Sequence, residues 1–136
     1  MKSLINFINE AKENDKFNAF IILKPEFLKH EDEWIEMIEK HGWKIVQRKT
    51  VKLSSDKAEE LYKMHKSKDF YNDLCEYMSS DKCLCCICYK DCEDPIEDMK
   101  SVKEKVRNKW GINDMKNAMH SSDSLSNVKR EKKIIF

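Results

Sequence analysis

The sequence predicts an α+β fold. Two apolar runs, at residues 18–23 and 82–89, are too short for helices and read as buried strands. Other segments repeat apolar residues at helical spacing, as in Trp34, Ile35, Met37 and Ile38. The third observation is compositional: 38% charged residues with only two Gly and two Pro favour helix-rich surfaces and few tight turns. At 136 residues and 40% apolar content the chain suits one domain with a sizeable core.

Taken in order, Leu4, Ile5, Phe7, Ile8 and Ala11 trace a short amphipathic helix ahead of the domain proper. The first strand, residues 18–23, ends where Lys24-Pro25 stops it. A helix over 31–41 follows, and Gly42 supplies its stop. A second strand opens at Trp43 and runs to about Leu53. Ser55-Asp56 caps a helix through Ala58, Leu61 and Tyr62. A further helix covers 71–78, and the cysteine-rich segment forms the third strand. Asp94-Pro95 starts a helix to about Lys105. A short fourth strand lies at 117–120, and Ser124 begins a last helix to about Lys132.

A net charge of +1 gives no general reason to expect nucleic acid or an acidic membrane surface as partner. No apolar stretch reaches membrane-spanning length, and Met1-Lys2-Ser3-Leu4 is interrupted by charge too early for a signal peptide. A cytoplasmic protein is expected. Cys75, Cys83, Cys85, Cys86, Cys88 and Cys92 are read as small, reduced residues, mostly filling a strand. Strand alternation sends Cys83 and Cys85 to one face and Cys86 and Cys88 to the other, so four thiolates do not converge on one metal.

The chemistry concentrates in residues 117–124, Asn-Ala-Met-His-Ser-Ser-Asp-Ser, with Glu131 eleven residues beyond His120. An imidazole is well suited to act as both nucleophile and leaving group near neutral pH, and Ser122 and Glu131 are candidate groups to fix its tautomer. The second motif is the apolar run ending in Ile22-Leu23-Lys24-Pro25-Glu26, which carries a lysine off the end of a strand.

Together with Leu61-Tyr62-Lys63-Met64-His65-Lys66-Ser67-Lys68-Asp69-Phe70-Tyr71, Val106-Arg107, and Arg130-Glu131 before Ile134-Ile135-Phe136, these segments resemble the nucleoside diphosphate kinase family. They occur in the family's order over residues 18–136. The resemblance implies a ferredoxin-like βαββαβ antiparallel four-stranded sheet with helices packed on its face. It also implies an N-terminal helical extension over 1–16 and a kinase-like domain over 17–136. The implied activity moves the terminal phosphate of a nucleoside triphosphate to a nucleoside diphosphate by ping-pong through a phosphohistidine. Magnesium (Mg2+) is the implied cofactor, held by nucleotide phosphates with no metal ligand from the protein.

Carried over residue by residue, His120 is the phosphorylated nucleophile, and Glu131 and Ser122 orient its ring. Lys24 meets the ribose hydroxyl and the transferred phosphate, Asn117 the sugar, and Tyr62 positions lysine or phosphate. His65 touches the inner phosphates, Phe70 stacks on the base, and Arg107 clamps phosphate as one of only three arginines, with Arg48 and Arg130. The implied partners are nucleoside di- and triphosphates and further copies of the chain, as a dimer or higher oligomer. His30 and His41 match no role and are expected to be solvated.

The chain also departs from the family pattern. Residues 91–105 form a shorter segment without the second arginine and the threonine that contact phosphate in the family. Lys100, Lys103 or Lys105 are the available substitutes. Ser121 stands where a glycine is usual, which predicts backbone strain, and Glu26 where an aspartate is usual. The alternative reading is therefore a catalytically weak or inactive relative that binds nucleotide or another protein.

Overall fold

The structure, a computed structural model, describes residues 3–136. Met1 and Lys2, the start of the expected extension, lie outside the described residues. Ten regular elements follow: α1 (Leu4–Glu13), β1 (Asn18–Leu23), α2 (Glu31–Lys40), β2 (Lys44–Val51), α3 (Ser55–Leu61), α4 (Tyr71–Met78), β3 (Cys83–Tyr89), α5 (Pro95–Trp110), β4 (Met119–Ser121) and α6 (Leu125–Ile135). The strands form one antiparallel sheet in the order β2-β3-β1-β4. That is the ferredoxin-like arrangement, with α2 and α5 as the two crossover helices.

The apolar run of β1 is buried at every position because the strand is central and both faces of the sheet are covered. On one face Ala19, Ile21 and Leu23 meet Trp34 and Ile38 of α2 and Met99, Val102 and Val106 of α5. On the other, Phe20 and Ile22 meet Leu61 of α3, Leu74 and Met78 of α4 and Ile135 of α6. The chain thus adds helices on the second face to the two that the topology requires on the first. Phe7, Ile8 and Ala11 of α1 pack on Val46 and Ile87 at the outer part of that second face.

Strand β3 supplies Leu84, Cys86 and Cys88 to the first core and Cys83 and Cys85 to the second. Two Cys-x-x-Cys spacings occur, Cys83 to Cys86 and Cys85 to Cys88, but three-residue steps along a strand put the partners on opposite faces. All six cysteines are free thiols. Among the described residues no group of three His, Cys, Asp or Glu is arranged to hold a metal ion, and no helix is long and apolar enough to cross a membrane.

Helix boundaries follow local chemistry. Gly42 ends α2 at φ +89, a conformation that favours glycine. Asp94 caps α5 by accepting from the Glu97 amide, with Pro95 at the first helical position. The cap of α3 is Ser54, one residue earlier than expected, accepting from the Lys57 amide. Helix α5 runs five residues beyond the expected end, because the apolar spacing Met99, Val102, Val106 continues to Trp110 and the first stop is Gly111. His30 and His41 are half-buried, not solvated. His30 stacks on Trp110 with ring centres 4.6 Å apart, while His41 contacts the Met37 carbonyl and Lys105 Nζ.

Candidate active site

Strand β4 pairs with β1 so that His120 lies opposite Ile22. Directly opposed residues project to the same face, which puts the imidazole on the side covered by α3, α4 and α6. The strand starts after a tight turn. Ala118 has φ +81, and the Met119 amide donates to the Asn117 carbonyl at 3.1 Å. Such a γ-turn is strained for a residue with a Cβ and persists where neighbours over-determine it. Here the Lys24 amide donates to the Ala118 carbonyl at 2.8 Å, and the Arg107 guanidinium donates twice to the Met119 carbonyl, at 3.3 and 3.1 Å. The strain expected at Ser121 is therefore found three residues earlier. Ser121 sits in extended strand, buried, with no positive φ.

Seven of the expected residues line a single cleft of about 600 Å³: Lys24, Tyr62, His65, Phe70, Arg107, Asn117 and His120. Glu131 stands behind His120, 1% exposed, and its Oε1 contacts His120 Nε2. A carboxylate only accepts, so the ring proton belongs on Nε2 and the lone pair on Nδ1. No partner engages Nδ1 among the described residues. Tyr62 packs edge-on to the imidazole with ring centres 5.4 Å apart. Burial, and then the Glu131 charge, hold its phenol well above the ordinary range, so it stays neutral. Tyr62 is thus both core and cleft, whereas Phe70 is 45% exposed at the rim beside His65, with ring centres 5.4 Å apart.

The cations are the second feature. Lys24 is buried, and its ammonium donates to the Met115 carbonyl at 3.0 Å. Burial, reinforced by the positive charges of Arg107 and Lys103, lowers it from 10.5 to about 7. Arg107 is also pushed down by burial, and among the described residues its guanidinium hydrogen-bonds to the Met119 carbonyl alone. It sits on the last turns of α5, which is why the longer helix matters. Of the candidate substitutes, Lys103 lies near Lys24 and Arg107, while Lys105 is turned to His41.

Two expected residues behave differently. Ser122 is buried behind the cleft, its amide donating to the Phe20 carbonyl, but its Oγ has no hydrogen-bond partner among the described residues. Asn117 donates to the Asp114 carbonyl at 2.7 Å and keeps a buried, unpartnered Oδ1. Sequence reasoning missed the 111–117 loop, which lends Asn113, Asp114 and Met115 to the cleft wall. Asn113 organises it by accepting from the Met115 and Lys116 amides at 3.0 and 2.8 Å. The available signal was the Gly-x-Asn-Asp turn just upstream of the histidine motif. Arg130, noticed only as part of a motif, donates to the Glu60 and Leu61 carbonyls and ties α6 to the end of α3.

A sequence model of nucleoside diphosphate kinase matches residues 18–136. The chain belongs to the nucleoside diphosphate kinase family. It is 33% identical to a nucleoside diphosphate kinase of Saccharolobus solfataricus over 87% of this chain and 93% of that one. With the Thermosipho africanus enzyme it is 32% identical over 87% of each chain. In three dimensions it is similar to the Aquifex aeolicus nucleoside diphosphate kinase, with a TM-score of 0.81, 25% identity and coverage of 88% of this chain and 94% of that one. As a nucleoside diphosphate kinase family member it is a phosphotransferase.

Proposed function

We propose that this chain transfers the terminal phosphate of a nucleoside triphosphate to a nucleoside diphosphate in two half-reactions through His120. The observation that carries the reading is the His120 imidazole at the cleft, with Nε2 held by a buried carboxylate and Nδ1 unengaged. In the first half-reaction the Nδ1 lone pair attacks the γ-phosphorus and the P–O bond to the bridging oxygen breaks. The nucleoside diphosphate leaves with that electron pair. The ring then carries positive charge, which the Glu131 carboxylate offsets while the Nε2 proton stays in place. In the second, an oxygen of the acceptor's terminal phosphate attacks phosphorus, the N–P bond breaks, and the imidazole is restored.

Phosphoryl transfer asks a protein mainly for alignment and charge neutralisation. Lys24 and Arg107 are the groups for the phosphates, with His65 reaching the inner ones. Tyr62 supports the ring of His120, and Asn117, with its unpartnered Oδ1, serves the sugar hydroxyls. Phe70 offers an exposed aromatic face that any base can stack on. Ser122 is assigned to the ring-orienting group with Glu131. Magnesium, when present, neutralises phosphate charge and rides on the nucleotide. Residues 17–136 form the catalytic domain with residues 1–16 appended, and the chain works as a dimer or higher oligomer.

A second reading, a binding module with weak transfer, draws on the unpartnered Ser122 Oγ and on the single arginine at the cleft. Incubation with γ-labelled ATP followed by alkaline denaturation separates the two. The kinase reading expects an acid-labile, alkali-stable label that vanishes in His120→Ala. Uptake of no label by a wild type that still binds ADP would favour the binding module.

A further inference from the structure

Residues 91–105 hold neither arginine nor threonine, so any phosphate contact from that stretch has to come from lysine. Helix α5 carries Lys100, Lys103 and Arg107 at spacings of three and four, which stacks them along one face. That face leads to the cleft, because Arg107 lines it. Lys103 is half-buried one turn back from Arg107, whereas Lys105 is turned away to His41 Nε2 at 3.0 Å.

The charges of Lys24, Lys103 and Arg107 act on one another, and among the described residues none of the three forms an ion pair with a carboxylate. Lys24 and Arg107 direct their donors to carbonyl oxygens. Burial first, and then repulsion from Arg107 and Lys100, lowers the Lys103 ammonium, while Asp123 and Glu104 act in the opposite sense and Lys24 adds a further like charge nearby. Like charges at helical spacing, partly desolvated and unpaired, destabilise a fold. The arrangement is useful if a polyanion completes it.

We infer that Lys103 is a phosphate-binding residue of this cleft, reaching the nucleotide's phosphate chain from α5 beside Arg107. It supplies from the helix the positive charge that residues 91–105 lack in arginine. The inference rests on the proposed function, since it presumes that the cleft takes nucleoside phosphates.

The test measures equilibrium binding of ADP and of adenosine to wild type, Lys103→Met, Lys103→Arg and Lys105→Met, with γ-labelled ATP labelling run in parallel. Methionine keeps the aliphatic stem and removes the charge, and thermal unfolding checks that each variant is folded. Lys103→Met is expected to raise the ADP Kd about tenfold, the scale of one charge-assisted contact, and leave adenosine unchanged. Lys103→Arg recovers most of the affinity and Lys105→Met matches wild type. With Lys103 uncharged, Lys24 holds its proton to higher pH, so the alkaline fall in ADP binding also moves up. A wild type that binds ADP and takes label, with an ADP Kd in Lys103→Met within about twofold, overturns the Lys103 assignment alone. Equal losses for ADP and adenosine also overturn it, because they mark a structural defect. A wild type that binds no ADP overturns this inference together with the proposed function.

Discussion

The floor and the rim of the cleft are built from different materials. The floor is central sheet and buried helix. His120 on β4, Tyr62 after α3 and Glu131 on α6 are all wedged against the core that Phe20 and Ile22 share with three helices. The rim is Phe70, 45% exposed, and the polar loop 111–117, held largely by its own backbone and by Asn113. Atoms that react need fixed positions, and burial among rigid elements provides them. Groups that recognise ligand can sit on exposed segments, where adaptation costs little. The contrast implies that substitutions at the floor strike rate and those at the rim strike affinity.

The largest expected effect is at the floor. His120→Ala is predicted to lower transfer by more than about 10⁴-fold, in the way that removing a covalent nucleophile does, with ADP affinity nearly intact. Coupled assays of transfer and titration of ADP binding read the two quantities separately, and retained transfer would disprove the role. Next is Glu131→Gln, which keeps the side-chain shape and removes the charge facing His120 Nε2. A neutral amide neither fixes the tautomer as firmly nor offsets charge on a phosphorylated ring, so transfer should fall about 10²-fold or more. A pre-steady-state measurement of label uptake should show the loss in the first half-reaction. An unchanged rate of uptake would mean that the buried carboxylate only serves the fold.

Lys24 sits at the junction of floor and rim, and its burial sets up opposed effects on stability and activity. It is protonated up to about pH 7 in the folded chain and up to 10.5 when unfolded. Between those values the unfolded state binds more protons, so this group's contribution to stability rises with pH across that window. Below about pH 7 the folded protein carries the full burden of a buried ammonium among other cations. Lys24→Met is therefore expected to raise the Tm of the nucleotide-free protein by several degrees at about pH 6, an advantage that shrinks above neutrality. The same change should reduce transfer about 10²-fold. A Tm that drops on substitution at about pH 6 would show that the bond to the Met115 carbonyl outweighs the buried charge.

What the sequence made legible divides along the same line. Strand β1 announced itself by a short apolar run, which the structure buries at all six positions, and the histidine motif and Lys24-Pro25 were visible because the chemistry proposed for them lies in the side chains themselves. Less legible were features that act through the backbone. The Met115 carbonyl that receives Lys24, the Met119 carbonyl that receives Arg107, and the φ of Ala118 leave little trace in residue type. The fourth strand was expected from Asn117, but that turn delays it to Met119. The last turns of α5 and α6 were missed because charged residues mask the apolar spacing that carries the helices on to Trp110 and Ile135. Coverage of the sheet's second face is a tertiary fact, set by which helix stripes find a shared core.

The smallest effect belongs to the rim. Phe70 leaves almost half its surface open, so Phe70→Ala removes little core packing and should leave Tm within about one degree. Its loss should instead weaken nucleotide affinity about tenfold, the usual scale for one stacked base. Because every base has a π-face, the penalty should be similar for ADP, GDP, UDP and CDP. Titrating the four diphosphates against wild type and variant reads both points at once. A penalty confined to one base would replace stacking with edge recognition, for which the nearby Asn113 and Asp114 carry the hydrogen-bonding groups. A large loss of transfer rate at saturating nucleotide would erase the division itself, by showing that the rim helps position the reacting phosphate.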